Sequence, residues 1–96
     1  MIRFEWDADK NLANQRKHGV GFEVAQHVFD DPFALAVQDR IEATEHRWQT
    51  IGMVGGVVVL LVAHTVKFEG DVEVVRLISA RRAGKNERKR YEEQAH

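Results

Sequence analysis

The 96-residue sequence predicts an α+β fold: two N-terminal helices packed on an antiparallel β-meander sheet, with a C-terminal helix closing the chain. Three observations carry this expectation. Helix-period segments with capping residues follow a short opening strand. From Phe33 onward the apolar pattern changes to that of sheet in four successive runs. The last dozen or so residues, rich in Lys, Arg and Glu, follow a glycine as a surface helix would. A chain of this length makes one domain, residues 1–96, around a single core.

Residues 2 to 6 alternate Ile2, Phe4 and Trp6 against Arg3 and Glu5, the two-residue period of a half-buried strand. Asp7 is placed to cap a polar helix over residues 8–18, and Gly19 supplies the left-handed residue that ends it. With only Ala8, Leu12 and Ala13 as apolar content, this helix is expected to pack lightly. A second helix over residues 22–29 sets Phe22, Ala25, Val28 and Phe29 on one core-facing stripe before Asp30-Asp31-Pro32 stops it. Trp6, Phe22 and Phe29 are expected in the core.

The sheet runs are Phe33 to Gln38, Arg47 to Val54, Val57 to Thr65 and Val72 to Ala80. Gly55-Gly56 fits a two-residue hairpin turn and Lys67 to Asp71 a longer one, so both connections imply antiparallel neighbours. The run Val57 to Ala63 lacks polar alternation and belongs inside the sheet with both faces covered. The last helix, residues 85–95, starts after Gly84, and Glu87 stands three residues on, in the acidic position of a capping box. Apart from Tyr91 and Ala95 it has almost nothing apolar, so it is expected to dock loosely, or onto a partner.

A hydrophobic fraction of 44% and a charged fraction of 30% argue against disorder or a fibrous repeat. Without cysteine there is no disulfide and no thiolate ligand. The opening residues lack an apolar signal core, and the longest apolar stretch, Ile51 to Ala63, is broken by three glycines and is too short for a bilayer. A cytoplasmic protein without membrane contact is expected. The histidines, His18, His27, His46, His64 and His96, match no familiar ligand spacing, so neither metal nor cofactor is expected. Gly55-Gly56 is no phosphate loop, since no Lys-Ser/Thr and no helix follow it.

Charge is unevenly spread. Residues 76–90 hold seven Lys/Arg against one acid, Glu87, whereas the rest of the chain holds seven against fourteen acids. A net charge of −1 therefore conceals a basic edge suited to nucleic acid and an acidic remainder suited to a basic partner. Arg76 interrupts an apolar strand, where an unpaired guanidinium is costly, so it either meets a carboxylate or faces a functional groove. Arg81 and Arg82, at that strand's end, either grip phosphate or form a solvated pair. Glu45 and Arg47, at i and i+2, share one sheet face as a base with its clamp or as a surface ion pair. His18, beside Lys17, either exchanges protons or caps the last carbonyls of the first helix. Tyr91 and Trp48 either stack on bases or pack.

In their order and spacing several pieces resemble the BrnT-type ribonuclease toxins of bacterial type II toxin–antitoxin pairs. They are Trp6-Asp7 with Lys10, Asn14 and Lys17-His18-Gly19-Val20; Phe22 and Ala25; Asp31-Pro32; Glu45 with Arg47; Ile51-Gly52; and Arg76 with Ile78-Ser79-Ala80-Arg81, Ala83, Glu87, Arg88 and Tyr91. Gly21 and Gly84 depart from the pattern, standing where such sequences often carry Ser or Thr. The resemblance implies a RelE-like fold and metal-independent endoribonuclease activity that blocks translation. It also implies neutralisation by a cognate antitoxin, and contact with operator DNA through that antitoxin.

Metal-free RNA cleavage requires a base for the 2′-hydroxyl proton, an acid for the leaving 5′-oxygen and fixed cations for the phosphorane. Under the resemblance, Glu45 or His18 transfers protons, Arg47, Arg76 and Arg81 hold the scissile phosphate, and Lys17, Arg82, Lys85, Arg88 and Lys89 hold flanking RNA. The alternative from another class is a non-catalytic module that binds a partner and nucleic acid within a repressor complex.

Overall fold

The computed structural model describes residues 1–42 and 45–94, and of residues 40–42 and 45 the backbone alone. The elements are β1 (Ile2–Glu5), α1 (Ala8–His18), α2 (Phe22–Ala25), a 3₁₀ segment (Gln26–Asp30), β2 (Leu35–Glu42), β3 (Glu45–Val54), β4 (Val58–Glu69), β5 (Val72–Arg82) and α3 (Lys85–Gln94). One sheet has the order β1-β5-β4-β3-β2. The meander β2 to β5 is antiparallel throughout, as expected. However, β1 joins β5 in parallel, Glu5 opposite Arg76, so the sheet is mixed rather than antiparallel. Apolar alternation gave β1 its inward face, but nothing local could name a partner more than 65 residues away.

The caps form where the side chains dictated. Asp7 accepts from the backbone N–H of Asp9 and Lys10, and Gly19 ends α1 at φ 70°. The second helix differs from expectation: only Phe22–Ala25 is α-helical, and Gln26–Asp30 tightens into 3₁₀ form. This segment presses onto β3 at Gly52, where a Cβ would stand 2.9 Å from the Val28 carbonyl oxygen. In the β3–β4 hairpin the two glycines take positive φ, but the first pair is Val54–Val58, which makes Val57 a third loop residue. The β4–β5 connection is tighter than expected, because Glu69 pairs with Val72 and only Gly70-Asp71 turns.

Two apolar clusters sandwich β4. The inner one joins Phe22, Ala25 and Val28 to Leu60, Val62, Val75, Leu77 and Ala80, with Trp6 and Phe29 packed partly buried against it. The outer one joins Tyr91 of α3 to Ile51, Val59 and Leu61. This double cover matches the missing polar alternation in β4. The inner side also buries His64, whose Nε2 lies 2.7 Å from Thr50 Oγ1 and whose ring meets Phe29 edge-on at 4.9 Å. Burial pushes its pKa down to about 4.

The polar helix α1 is fastened by buried amides instead of apolar packing. Asn11 accepts from Phe22 N–H at 2.8 Å and donates to Glu23 at 2.7 Å. Asn14 pairs with both backbone groups of Ala80, donating to its carbonyl at 2.8 Å and accepting from its N–H at 3.1 Å, and also donates to Val20 O at 2.9 Å. Its carboxamide thus continues the edge of β5 as a strand would.

Candidate active site on the open sheet face

Among the described residues, α3 covers the outer face of the sheet only toward the β3–β4 hairpin. Strand register shows what lies beyond it. Arg81, Leu61, Ile51 and Leu35 form one transverse row at the margin of α3. Next come the small or neutral side chains Ser79, Ala63, Gln49 and Val37. The third row is Glu5, Arg76, Thr65 and Arg47, each the direct partner of the next. Rows lie about 6.6 Å apart and strands about 4.8 Å apart. Arg76 and Arg47 therefore flank Thr65 with roughly 10 Å between their Cα atoms, close enough for both long side chains to converge on one phosphate. The result is a shallow trough with a floor of small residues and a rim of arginines.

The β4–β5 bulge is essential to this arrangement. Between the Ala63–Ser79 and His64–Leu77 pairs, Ile78 is the extra residue, so both Arg76 and Arg81 point outward although five positions apart. A regular strand would put them on opposite faces.

The arginines are differently engaged. Arg81 forms a two-pronged pair with Glu87, Nη1 to Oε1 and Nη2 to Oε2, both 2.8 Å. Glu87 Oε1 also accepts from Gly84 N–H at 2.7 Å, the acidic half of the expected capping box. The Arg81 hydrogen bonds draw the Glu87 carboxyl below its usual range against the effect of burial, and Gly84 N–H adds to them. Arg81 thus fastens the first turn of α3 to β5 while its guanidinium borders the trough. Arg76, by contrast, reaches Glu5 only at 3.8 Å. It meets a carboxylate and faces a groove, joining two alternatives that the sequence held apart.

The far end of α3 is held by Tyr91, which is buried and donates to Asp31 Oδ2. Burial and then Asp31 push the tyrosine up to about 12. Asp31 also accepts from Met53 N–H at 2.8 Å and Phe33 N–H at 2.9 Å. Burial opposes its charged form, but these donors together hold its carboxyl below the ordinary value. Tyr91 is therefore a packing residue and not a base-stacking platform.

A groove of about 330 Å³ where β3 begins is lined by Glu5, His46, Thr65, Val66, Lys67, Val74 and Arg76. Glu45 opens β3 here, but its side chain lies outside the described residues. Lys17 and His18 end α1, which is tied by Asn11 to the α2 layer. Among the described residues no hydrogen bond or ion pair joins them to the arginine row. Arg82 points away from Arg81 and lines, with Arg88, a groove of about 450 Å³ beside the hairpin. Lys85 and Lys89 are exposed one turn apart on α3. Trp48 lines an inner-side groove with His64 and Phe29. Among the described residues, no group of three or more His, Asp or Glu is placed to hold a metal ion.

The model of a protein family described as the ribonuclease toxin, BrnT, of type II toxin–antitoxin systems matches residues 6–87. The chain belongs to the BrnT family. The matched span includes Arg47, Arg76, Arg81 and Glu87, so the arginine row and the α3 anchor fall within the BrnT part of the chain. Among solved structures the chain is similar to the Brucella abortus ribonuclease toxin BrnT, with a TM-score of 0.66 at 23% identity over 88% of this chain and 100% of that one. That likeness concerns the fold, an α+β arrangement on a five-stranded sheet. No curated protein sequence is matched. As a member of a type II toxin family, the chain has an antitoxin as its implied partner.

Sequence reasoning missed Glu5, Thr65 and Lys67 as the residues that share the groove with Arg76. Alternation in residues 2–6 put Glu5 opposite the apolar face, but only the parallel pairing of β1 with β5 sets it beside the arginine.

Proposed function

We propose that this BrnT-family chain is a metal-independent endoribonuclease that cuts single-stranded RNA on the open sheet face by attack of the 2′-hydroxyl, leaving a 2′,3′-cyclic phosphate. The observation that carries this reading is the transverse row in which Arg76 and Arg47 flank Thr65 on a solvent-open trough. Two guanidiniums held by the strands on either side of β4 are preorganised for the charge that develops on a phosphorane, which no mobile lysine arm could match. Arg81 borders the same trough, in an orientation fixed by Glu87. Lys17, Arg82, Lys85, Arg88 and Lys89 hold flanking backbone through salt-sensitive contacts. Glu45 and His18 remain the proton-transfer candidates named from sequence, and of these Glu45 belongs to the same strand as Arg47. The residues act as one RelE-like toxin domain in the cytoplasm, block translation, and are neutralised by a cognate antitoxin that also carries the toxin to operator DNA.

The test is cleavage of a labelled single-stranded RNA by the purified, partner-free protein in excess EDTA, with Arg76→Ala as control. Cleavage that survives EDTA and disappears in the folded variant is expected. Full activity in folded Arg76→Ala sinks the assignment to this face. An RNA gel shift without cleavage favours the non-catalytic module.

A further inference from the structure

Among the described residues the buried polar side chains are Asn11, Asn14, Thr50, His64 and Thr65. All but the last are spoken for. Asn11 and Asn14 hold backbone groups of Phe22 and Ala80, and Thr50 Oγ1 lies 2.7 Å from His64 Nε2. Thr65 is 9% exposed, yet among the described residues its hydroxyl is matched with no hydrogen-bonding group. A polar side chain so deeply placed is ordinarily committed within the fold, and one that is not can serve a ligand.

That hydroxyl stands at the centre of the arginine row. β4 is the middle strand of the sheet, and register sets Arg76 of β5 on one side of Thr65 and Arg47 of β3 on the other, all three on the outer face. The groove of about 330 Å³ opens over it, with Thr65 and Arg76 both in its lining. Two guanidiniums rising from strands about 4.8 Å to either side leave a gap above the short side chain between them. A phosphate in that gap meets a guanidinium on each flank and the Thr65 hydroxyl beneath. A Leu, Gln or Lys at this position would itself fill the gap, whereas Thr ends at its γ atoms. The arginines supply charge, and the hydroxyl supplies a neutral donor at a height fixed by a stiff β-branched side chain.

We infer that Thr65 is a catalytic residue of RNA cleavage, its hydroxyl donating a hydrogen bond to a non-bridging oxygen of the scissile phosphate held between Arg76 and Arg47; this assignment rests on the ribonuclease reading above. The 2′-oxygen forms its bond to phosphorus and the bond from phosphorus to the 5′-oxygen breaks. The Thr65 hydroxyl keeps its own proton throughout, and the protons of the 2′- and 5′-oxygens move through other groups. As the phosphorane forms, its non-bridging oxygens gain negative charge. The bond from Thr65 is therefore stronger in the transition state than in the bound substrate, which is the condition for lowering the barrier.

The test is single-turnover cleavage of a labelled RNA by wild type, Thr65→Val and Thr65→Ser, with melting temperature measured alongside. Thr65→Val keeps the shape and removes only the hydroxyl. It is expected to cleave about 100-fold more slowly than wild type, and Thr65→Ser, which keeps the donor, to stay within about tenfold. Thr65→Val should melt at the wild-type temperature or above, because the lost hydroxyl holds nothing else in the fold. The second readout is the same RNA with one non-bridging oxygen of the mapped scissile phosphate replaced by sulfur, as separate Rp and Sp isomers. Sulfur accepts a hydrogen bond poorly, so wild type should cleave one isomer more slowly than the other, and Thr65→Val should lose most of that difference. A merely structural role would slow both isomers alike. Cleavage by Thr65→Val within about threefold of wild type overturns the assignment. So does a slow Thr65→Val that keeps the wild-type ratio between isomers, or one that melts more than about 4 °C lower. If wild type does not cleave, or folded Arg76→Ala cleaves fully, the ribonuclease reading of this face itself fails, which is a different result from an active Thr65→Val.

Discussion

Asn14→Ala is the most informative structural perturbation, because one side chain satisfies three backbone groups. The 7% exposed carboxamide serves the Ala80 N–H, the Ala80 carbonyl and the Val20 carbonyl at 3.1, 2.8 and 2.9 Å. Truncation removes the partner of all three. A buried group left unpaired costs about 1–3 kcal/mol, and water entering the vacated space returns part of that, so the expected loss is about 2–4 kcal/mol. For a domain of this size each kcal/mol lowers the melting temperature by about 4–8 °C, so a fall of roughly 8–32 °C is expected. Against a typical stability of about 5–15 kcal/mol, the variant folds but is marginal. Circular dichroism melts measure this, and hydrogen exchange at the Ala80 amide localises it. Asn14→Asp should fare no better, since it keeps an acceptor for the N–H but presents a carboxylate to two carbonyl oxygens. A melting temperature within about 4 °C of wild type in Asn14→Ala would refute the argument that this amide holds α1 to the sheet.

Four further outcomes are expected. His64 is buried with its folded pKa near 4, against an ordinary 6.5, so below pH 6.5 the unfolded chain takes up a proton that the native state refuses. Stability is therefore full above pH 6.5 and falls as pH drops toward 4, by about 2–3 kcal/mol in urea titrations at the two ends, and His64→Gln should flatten that slope. Asp31 and Glu87, both held below the usual carboxylate range, add to the loss only at the acid end. Gly52→Ala should destabilise by about 1–3 kcal/mol, because its Cβ would meet the Val28 carbonyl oxygen at 2.9 Å and Val28 Cβ at 3.0 Å. Gly84→Ser, whose Cβ meets only the flexible end of Glu87 at 3.3 Å, should gain a few tenths of a kcal/mol as an N-cap; chemical denaturation midpoints test both. Removing Lys85, Arg88 or Lys89 singly should lower the slope of log affinity for single-stranded RNA against log salt by about 0.7 each, and unchanged slopes would remove α3 from the RNA path.

The sequence by itself determined the elements whose causes are local. Asp7 and Gly19 bound α1 because a capping carboxylate and a left-handed glycine act within one turn. The paired glycines made the β3–β4 turn, Glu87 found Gly84 three residues away, and the unbroken apolar run of β4 declared burial on both faces. Arg76 was singled out because a cation inside an apolar strand demands an explanation. What only the tertiary structure decided depends on residues far apart in the chain. The parallel docking of β1 beside β5 makes the sheet mixed and brings Glu5 to Arg76. The bulge at Ile78 turns Arg76 and Arg81 to one face. Asn14 could be recognised as a fastener only once Ala80 was seen beside it. The physical reason is the same in each case: caps, turns and periodicity follow from neighbours in sequence, whereas strand partnership and register are settled by which pairing buries the apolar faces of the whole chain together.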